Sequence, residues 1–307
     1  MSEKSKRGLI ACLIVFVLFV GFTVVLKTVD VQPVGPLDSS VGLASLNQFM
    51  LARASGSDLF RLVTDIAACV SIAIVLALAV YGIVQWIRRK DVRKVDPDLI
   101  AAGIVFFLTA LSYLIFEIVV INFRPVLDNG KLAASYPSSH VLLVLTVTLV
   151  TATILENRIR NKVLKALLPF LLDAIAVATV LLREQSGIHW FTDILGGMLL
   201  SGTFVLLFQF LAGFLQEKKK EKEQEEEAKT LVPETGEPAE ADGETKDSPE
   251  ESDSEEPEKA EEPEKSEEAE TVEESEAGEA ETVEPEKDEP AAPDPEIKPE
   301  EGAENPS

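Results

Sequence analysis

Six apolar stretches, at roughly 8–26, 63–87, 98–122, 139–155, 164–182 and 194–214, divide the first two thirds of the chain. Each is long enough, or nearly so, to cross a hydrocarbon core that needs about 20 helical residues. The pattern predicts an all-α fold, a six-span transmembrane helix bundle. Lys4, Lys6 and Arg7 precede the first stretch, as in a signal peptide. Its apolar run is longer than such a peptide needs and no small-x-small cleavage site follows, so it is expected to stay as an anchor. In the long connection 27–62, VGLASLNQFMLARA places Leu43, Leu46, Phe49 and Met50 at helical spacing. That spacing fits either an amphipathic helix on the outer leaflet or a packed loop.

Basic residues set the expected orientation. They cluster in SEKSKR before the first span, RRKDVRK (88–94) after the second, ENRIRNKVLK (156–165) after the fourth and EKKKEK (217–222) after the sixth. Six alternating crossings put these four flanks on one side, so both termini are expected to be cytoplasmic. Residues 27–62, 123–138 and 183–193 then share the extracytoplasmic face of the cell membrane.

Composition separates a second region. The chain has 307 residues and a net charge of −24. From Gln216 onward it holds 38 acidic and 10 basic residues, a net −28, and no Phe, Trp or Tyr, which leaves residues 1–215 at +4. The pI near 4.5 therefore describes residues 216–307 and says nothing about a ligand of the membrane domain, 1–215. The acidic region is predicted to be a disordered cytoplasmic tail, since it cannot bury enough surface to offset its ordering entropy. Its basic start, 218–222, is expected at the anionic lipid surface, and its binding partner is unknown. VPETG (232–236) loosely matches a sortase signal but has no hydrophobic segment after it. Cys12 and Cys69 lie in separate apolar runs and suggest neither a disulfide nor a metal site.

The polar residues at the outer span ends carry the candidate chemistry. NFRP (122–125) leaves the third span, SYPSSH (135–140) opens the fourth, and LLREQSGIHWFTDILGG (181–197) joins the fifth to the sixth. Both histidines of the chain, His140 and His189, lie on this face with Arg124, Arg183 and Asp193. The bland reading of a boundary arginine is snorkelling to the interface. Five such groups on one face instead suit phosphoryl chemistry. Asp193, four residues after His189, can accept from one ring nitrogen and leave the other free to attack. Ser138, Ser139 and His140 sit at a helix start, where backbone N–H groups favour an anion. Arg124 and Arg183 can hold phosphoryl oxygens with planar forks. His140 is left to protonate the leaving oxygen. Asp173, near the middle of the fifth span and one turn after Pro169, is expected to face the bundle interior. Asp65 reads as an interfacial acid.

RP, then PSSH, then R-x5-H-x3-D, each at the outer flank of its span, resembles the type 2 phosphatidic acid phosphatase family, which shares its catalytic core with vanadium haloperoxidases. GIHWFTDILGG with SYPSSH is most similar to Gram-positive bacterial members, and the resemblance covers roughly residues 8–214. It implies that His189 forms a phosphohistidine, that Asp193 orients it and that His140 is the acid. It also implies that Arg124, Arg183, Ser138 and the Ser139 backbone hold the phosphate. No metal and no organic cofactor is implied. Two positions depart from the family pattern KxxxxxxRP, PSGH, SRxxxxxHxxxD. Glu117 stands where its lysine is expected, and Leu182 where its serine is. Ser139, in place of glycine, keeps its backbone N–H. Glu117 is a possible pocket modifier, expected to pair with an arginine, with weaker phosphate binding as the alternative.

The expected function is hydrolysis of a phosphorylated membrane lipid at the outer face. Phosphatidate, phosphatidylglycerol phosphate and polyprenyl pyrophosphate all fit, and no nucleic acid is expected as a partner. The alternatives are a lipid phosphotransferase, a metal-dependent hydrolase using His140, His189 and Asp193, and a catalytically weakened scaffold acting through its acidic tail.

Overall fold

A computed structural model describes residues 2–231. The stretch 232–307, and with it the expectation of a disordered tail there, lies outside the described residues. Seven α-helices follow in order: α1 (Glu3–Thr28), α2 (Ala44–Leu51), α3 (Asp58–Arg89), α4 (Pro97–Ile118), α5 (Ser139–Arg158), α6 (Lys162–Gln185) and α7 (Phe191–Leu231). Among the described residues, six of them, all but α2, are long and apolar enough to cross a membrane. The fold is a six-span transmembrane helix bundle.

The axis of the bundle is α5. Of its apolar window 61% is buried, against 28% or less in the other five spans. This explains its composition of Val, Leu and Thr. Small β-branched side chains let neighbouring helices close in, and Thr148 donates its buried hydroxyl back to Val144 O at 2.7 Å. Helices α3, α4, α6 and α7 all pack on this axis. The outward faces of α1, α3 and α6 keep large apolar residues such as Phe16, Leu76 and Phe170 exposed, as a lipid-facing surface requires.

Charged residues sort to the two ends. At one end Arg158, closing α5, donates to both carboxylate oxygens of Asp98 at 2.6 and 2.8 Å and lies 3.1 Å from Asp96. Arg89 and Gln85 of α3 bond to the same Asp96, each at 2.8 Å. Ser5 of α1 donates to Glu217 of α7 at 2.7 Å at this end as well. The opposite end gathers the start of α5, the end of α6 and the start of α7, and with them both histidines.

Several elements differ from the sequence expectation. The third span stops at Ile118 rather than 122. Pro125 disfavours helix at Arg124, and residues 122–135 instead fold back on themselves through a Phe123–Ala134 bridge and an Arg124 N to Ala133 O bond of 3.0 Å. The sixth span's helix, α7, runs on to Leu231, so residues 216–231 are helical and not part of a disordered tail. Strong helix formers and Lys–Glu pairs, such as Lys218–Glu221 at 3.0 Å, favour the extension. Segment 41–54 contains the eight-residue α2, anchored by a fully buried Asn47, with Leu46 and Phe49 left exposed. Asp173 does not face the interior. The buried stripe of α6 runs through Pro169, Ala176, Thr179 and Arg183, and Asp173 falls off it onto an exposed face.

Two glycines set how closely α7 approaches the start of α5. A Cβ on Gly196 would stand 2.2 Å from the Tyr136 ring, and one on Gly197 would stand 3.0 Å from Ser138 O. Tyr136 is itself fixed, 2.7 Å from Thr23 Oγ1 and stacked on Phe19. By contrast, a Cβ on Gly202 meets nothing closer than 3.8 Å. Gly196→Ala is therefore expected to destabilise the detergent-solubilised protein by about 1–3 kcal/mol through overpacking, while Gly202→Ala leaves the melting temperature within error. Thermal melts of the two variants check this.

Candidate active site

The site is built where α6 ends and α7 begins. Gly187, at φ +70°, turns the chain out of α6, and residues 188–190 pass inward so that Ile188, His189 and Trp190 are all buried. The first amides of α7 need partners, as at any helix start. Asp193 Oδ2 accepts from Trp190 N at 2.9 Å, and Asn47 Oδ1 accepts from Thr192 N at 3.1 Å. Trp190 Nε1 donates to Phe123 O at 2.7 Å and pins the Arg124 loop to this junction. Ser138 N donates to Asp193 O at 2.9 Å and joins the start of α5 to it.

His189 does not bond directly to Asp193. Its Nδ1 is 3.9 Å from Asp193 Oδ2 and 3.0 Å from Ser135 Oγ, and Ser135 in turn donates to that carboxylate oxygen. The helical i, i+4 argument fails here because His189 precedes the first residue of α7. The hydroxyl proton of Ser135 is committed to Asp193, so Oγ accepts from Nδ1–H. His189 is thereby held as the Nδ1–H tautomer. Its Nε2 is buried without a hydrogen-bond partner among the described residues. Burial, reinforced by the charges of Arg183 and Arg124, holds the His189 pKa well below its usual 6.5. A neutral imidazole with a free Nε2 lone pair is the outcome.

Arg124, Ser139 and Glu117 line one small cavity with His189 and Ser135. Arg124 is braced by Ala134 O at 3.2 Å and lies 3.8 Å from Asp128. Glu117 shares this cavity but forms no ion pair with an arginine among the described residues. Because α4 ends at Ile118, the seven-residue spacing to Arg124 is not a helical spacing, and the expected pairing is not made. Ser139 begins α5, and the free amides of a helix's first turn can hold an anion. Ser138 Oγ is buried and has no partner among the described residues.

Arg183 and His140 form a second half of the site. Arg183, 2% exposed, donates from Nη1 to Thr64 Oγ1 at 2.8 Å and to Asp65 Oδ1 at 2.9 Å. Its Nη2 lies 2.9 Å from His140 Nδ1, and His140 Nε2 lies 2.9 Å from Asp65 Oδ1. Asp65 is thus part of the site and not a plain interfacial acid. Buried Arg183 Nε has no partner among the described residues. Beside this half an apolar cavity of about 570 Å³ opens between α3, α4 and α5, lined by residues including Ile72, Leu76, Phe106 and Val147 and ending at Asp65, Ser139 and His140.

His140, His189, Asp193, Arg124, Arg183, Ser138, Ser139 and Glu117 therefore converge on one end of the bundle, and Asp173 does not. Those missed are the ones that brace them. Ser135 was in view beside Tyr136–Pro137 but had no spacing to mark it. Asp65, Asn47 and Asn122 reach the site from distant segments, Asn122 by donating to Asp193 Oδ1 at 3.4 Å.

Comparison with known proteins bears on this arrangement. The crystal structure of a transmembrane PAP2-type phosphatidylglycerolphosphate phosphatase from Bacillus subtilis is similar at 19% sequence identity and a TM-score of 0.49, over 67% of this chain and 96% of that one. No curated protein sequence matches the chain. Residues 101–214, which hold NFRP, SYPSSH and the 181–197 stretch, match the family model of the PAP2 superfamily.

Proposed function

We propose that the protein is an integral membrane phosphatase that removes the phosphoryl group of a lipid phosphomonoester or pyrophosphate through a phosphohistidine on His189. The observation that carries this reading is the buried, neutral His189, oriented through Ser135 and Asp193, with its Nε2 unpartnered and two arginines at hand. An in-line attack by Nε2 on phosphorus needs that lone pair and donors for the non-bridging oxygens. In this reading Arg124, Arg183, the Ser139 amide and Ser138 Oγ supply them. His140 protonates the departing oxygen and later activates water.

The apolar cavity beside His140 and Asp65 favours a lipid over a soluble phosphate ester. A substrate lying there keeps its chain among the apolar side chains of α3, α4 and α5 and brings its phosphate to the arginines. The positive flanks of the spans support an outer-face site with both termini in the cytoplasm. Phosphatidate, phosphatidylglycerol phosphate and polyprenyl pyrophosphate are the candidate substrates of this reading. Glu117 in the cavity puts a carboxylate near the bound phosphate, a feature that weakens binding of a dianion relative to a lysine there.

The purified protein is expected to release phosphate from at least one of these three lipids, and His189→Ala to lower the rate roughly a thousandfold or more. Release from none of them, or release unchanged by His189→Ala, contradicts the reading. A second test uses the presence of only two histidines in the chain. In ¹⁵N-histidine NMR the His189 signal, identified by its loss in His189→Ala, should stay that of the neutral Nδ1–H tautomer at pH 6.5 and below. The sign follows from the lowered pKa: the unfolded chain takes up a proton near 6.5, whereas the folded one resists it. Stability contributed at this residue accordingly falls as the pH drops below 6.5. A half-protonated His189 at pH 6.5 is the opposing result.

A further inference from the structure

Asp65 is the residue of this site that no motif in the sequence marks. It stands in the second turn of α3, and its Oδ1 is 2.9 Å from both Arg183 Nη1 and His140 Nε2. The charged groups facing it are Arg61 on its own helix, 3.9 Å from Oδ2, His140 on α5 and Arg183 on α6. A guanidinium can only donate, so Arg183 Nη2, 2.9 Å from His140 Nδ1, makes that nitrogen the acceptor. The ring proton then sits on Nε2, against Asp65. In this arrangement His140 has no proton to give at Nδ1, and Arg183 is shared between the ring and the carboxylate.

We propose that Asp65 is a positioning residue for the leaving-group step, a carboxylate that charges His140 as an acid once a phosphate draws Arg183 away. The proposal rests on the phosphatase reading above and deepens it. When a phosphoryl oxygen takes over Arg183 Nη2, His140 Nδ1 becomes free to take up a proton delivered from bulk solvent by buffer or hydronium. The imidazolium so formed keeps Nε2–H toward Asp65, whose negative charge stabilises it. His189 Nε2 then forms the N–P bond. The P–O bond to the lipid breaks with its electron pair moving to oxygen, and that oxygen takes the Nδ1 proton from His140. In the second half water attacks phosphorus, the N–P bond breaks, and the water proton returns to His140 Nδ1. The site thus contains two carboxylate–histidine pairs with separate tasks. Asp193 acts through Ser135 on the nucleophile, and Asp65 acts directly on the acid. Phosphate binding and acid charging are linked because both compete for one arginine.

The reading separates substrates by their leaving groups. A lipid alkoxide needs a proton as it departs, whereas p-nitrophenolate does not. First-turnover release is measured by rapid quench for wild type and Asp65→Asn, with a lipid phosphate from the panel and with p-nitrophenyl phosphate. The expected result is a loss of tenfold or more in Asp65→Asn on the lipid and of less than threefold on the aryl ester. Asp65→Glu, which keeps the carboxylate, should recover an alkyl-to-aryl rate ratio within threefold of wild type. If Asp65→Asn fails to elute as a folded species, Asp65→Glu carries the test alone, and a ratio lowered tenfold in that variant overturns the proposal. Equal losses on both esters reduce Asp65 to a structural clamp on Arg183 and also overturn it, as does no loss on either. A wild-type protein that releases phosphate from neither ester removes the phosphatase reading and this inference together. Wild-type activity that is lost in His189→Ala but unchanged in Asp65→Asn removes this inference alone.

Discussion

The structure depends on keeping a carboxylate and a neutral imidazole side by side where neither meets bulk water. Buried polar groups are tolerated only when their hydrogen bonds are made, and here one hydroxyl, that of Ser135, serves both. Its donation to Asp193 and acceptance from His189 leave Nε2 as the one polar atom of these two side chains without a partner among the described residues. Asp193 is satisfied in turn by the Trp190 amide and by Asn122, so its position is fixed by the start of α7 itself. His189 is oriented by the same bonds that begin the helix.

That junction constrains the rest of the bundle. The close approach of α7 to α5 at Gly196 and Gly197 brings Ser138 N to Asp193 O, so the first turn of α5 is placed by a contact with the helix that follows His189. At the other end the Arg158, Asp98, Asp96 and Arg89 cluster ties α3, α4 and α5 together. With the far ends of α3 and α5 held in register, Asp65 and His140 meet at the near ends. The polar site at one end and the ion-pair cluster at the other are separated by the apolar length of α5.

Much of this was legible in the sequence, for physical reasons that differ by residue. Spans follow from hydrophobic length, and the recovered helices begin and end within a few residues of the apolar runs except where another force intervenes. α4 stops at Ile118, ahead of the loop that Pro125 and the Trp190–Phe123 bond shape, and Lys–Glu pairing favours the extension of α7 beyond its apolar part. His140, His189, Arg124, Arg183 and Asp193 were legible because ionisable groups at a membrane edge are costly and few. Ser135 and Asp65 were not. Serine next to a membrane is unremarkable in composition, and the importance of Asp65 depends on α3, α5 and α6 meeting, which no local spacing encodes. Glu117 shows the reverse error: a seven-residue spacing suggested a shared helical face, and the chain leaves the helix before reaching Arg124.

The central claim is that the phosphoryl group passes through His189 Nε2. It is tested most directly by acid-free quenching of a single turnover with a lipid phosphate, followed by peptide mass spectrometry for phosphohistidine. The account predicts an acid-labile, base-stable phosphoryl group on His189 during the wild-type turnover, which is missing in His189→Ala. Turnover of the lipid with phosphate found on no histidine, or on His140 in place of His189, contradicts it.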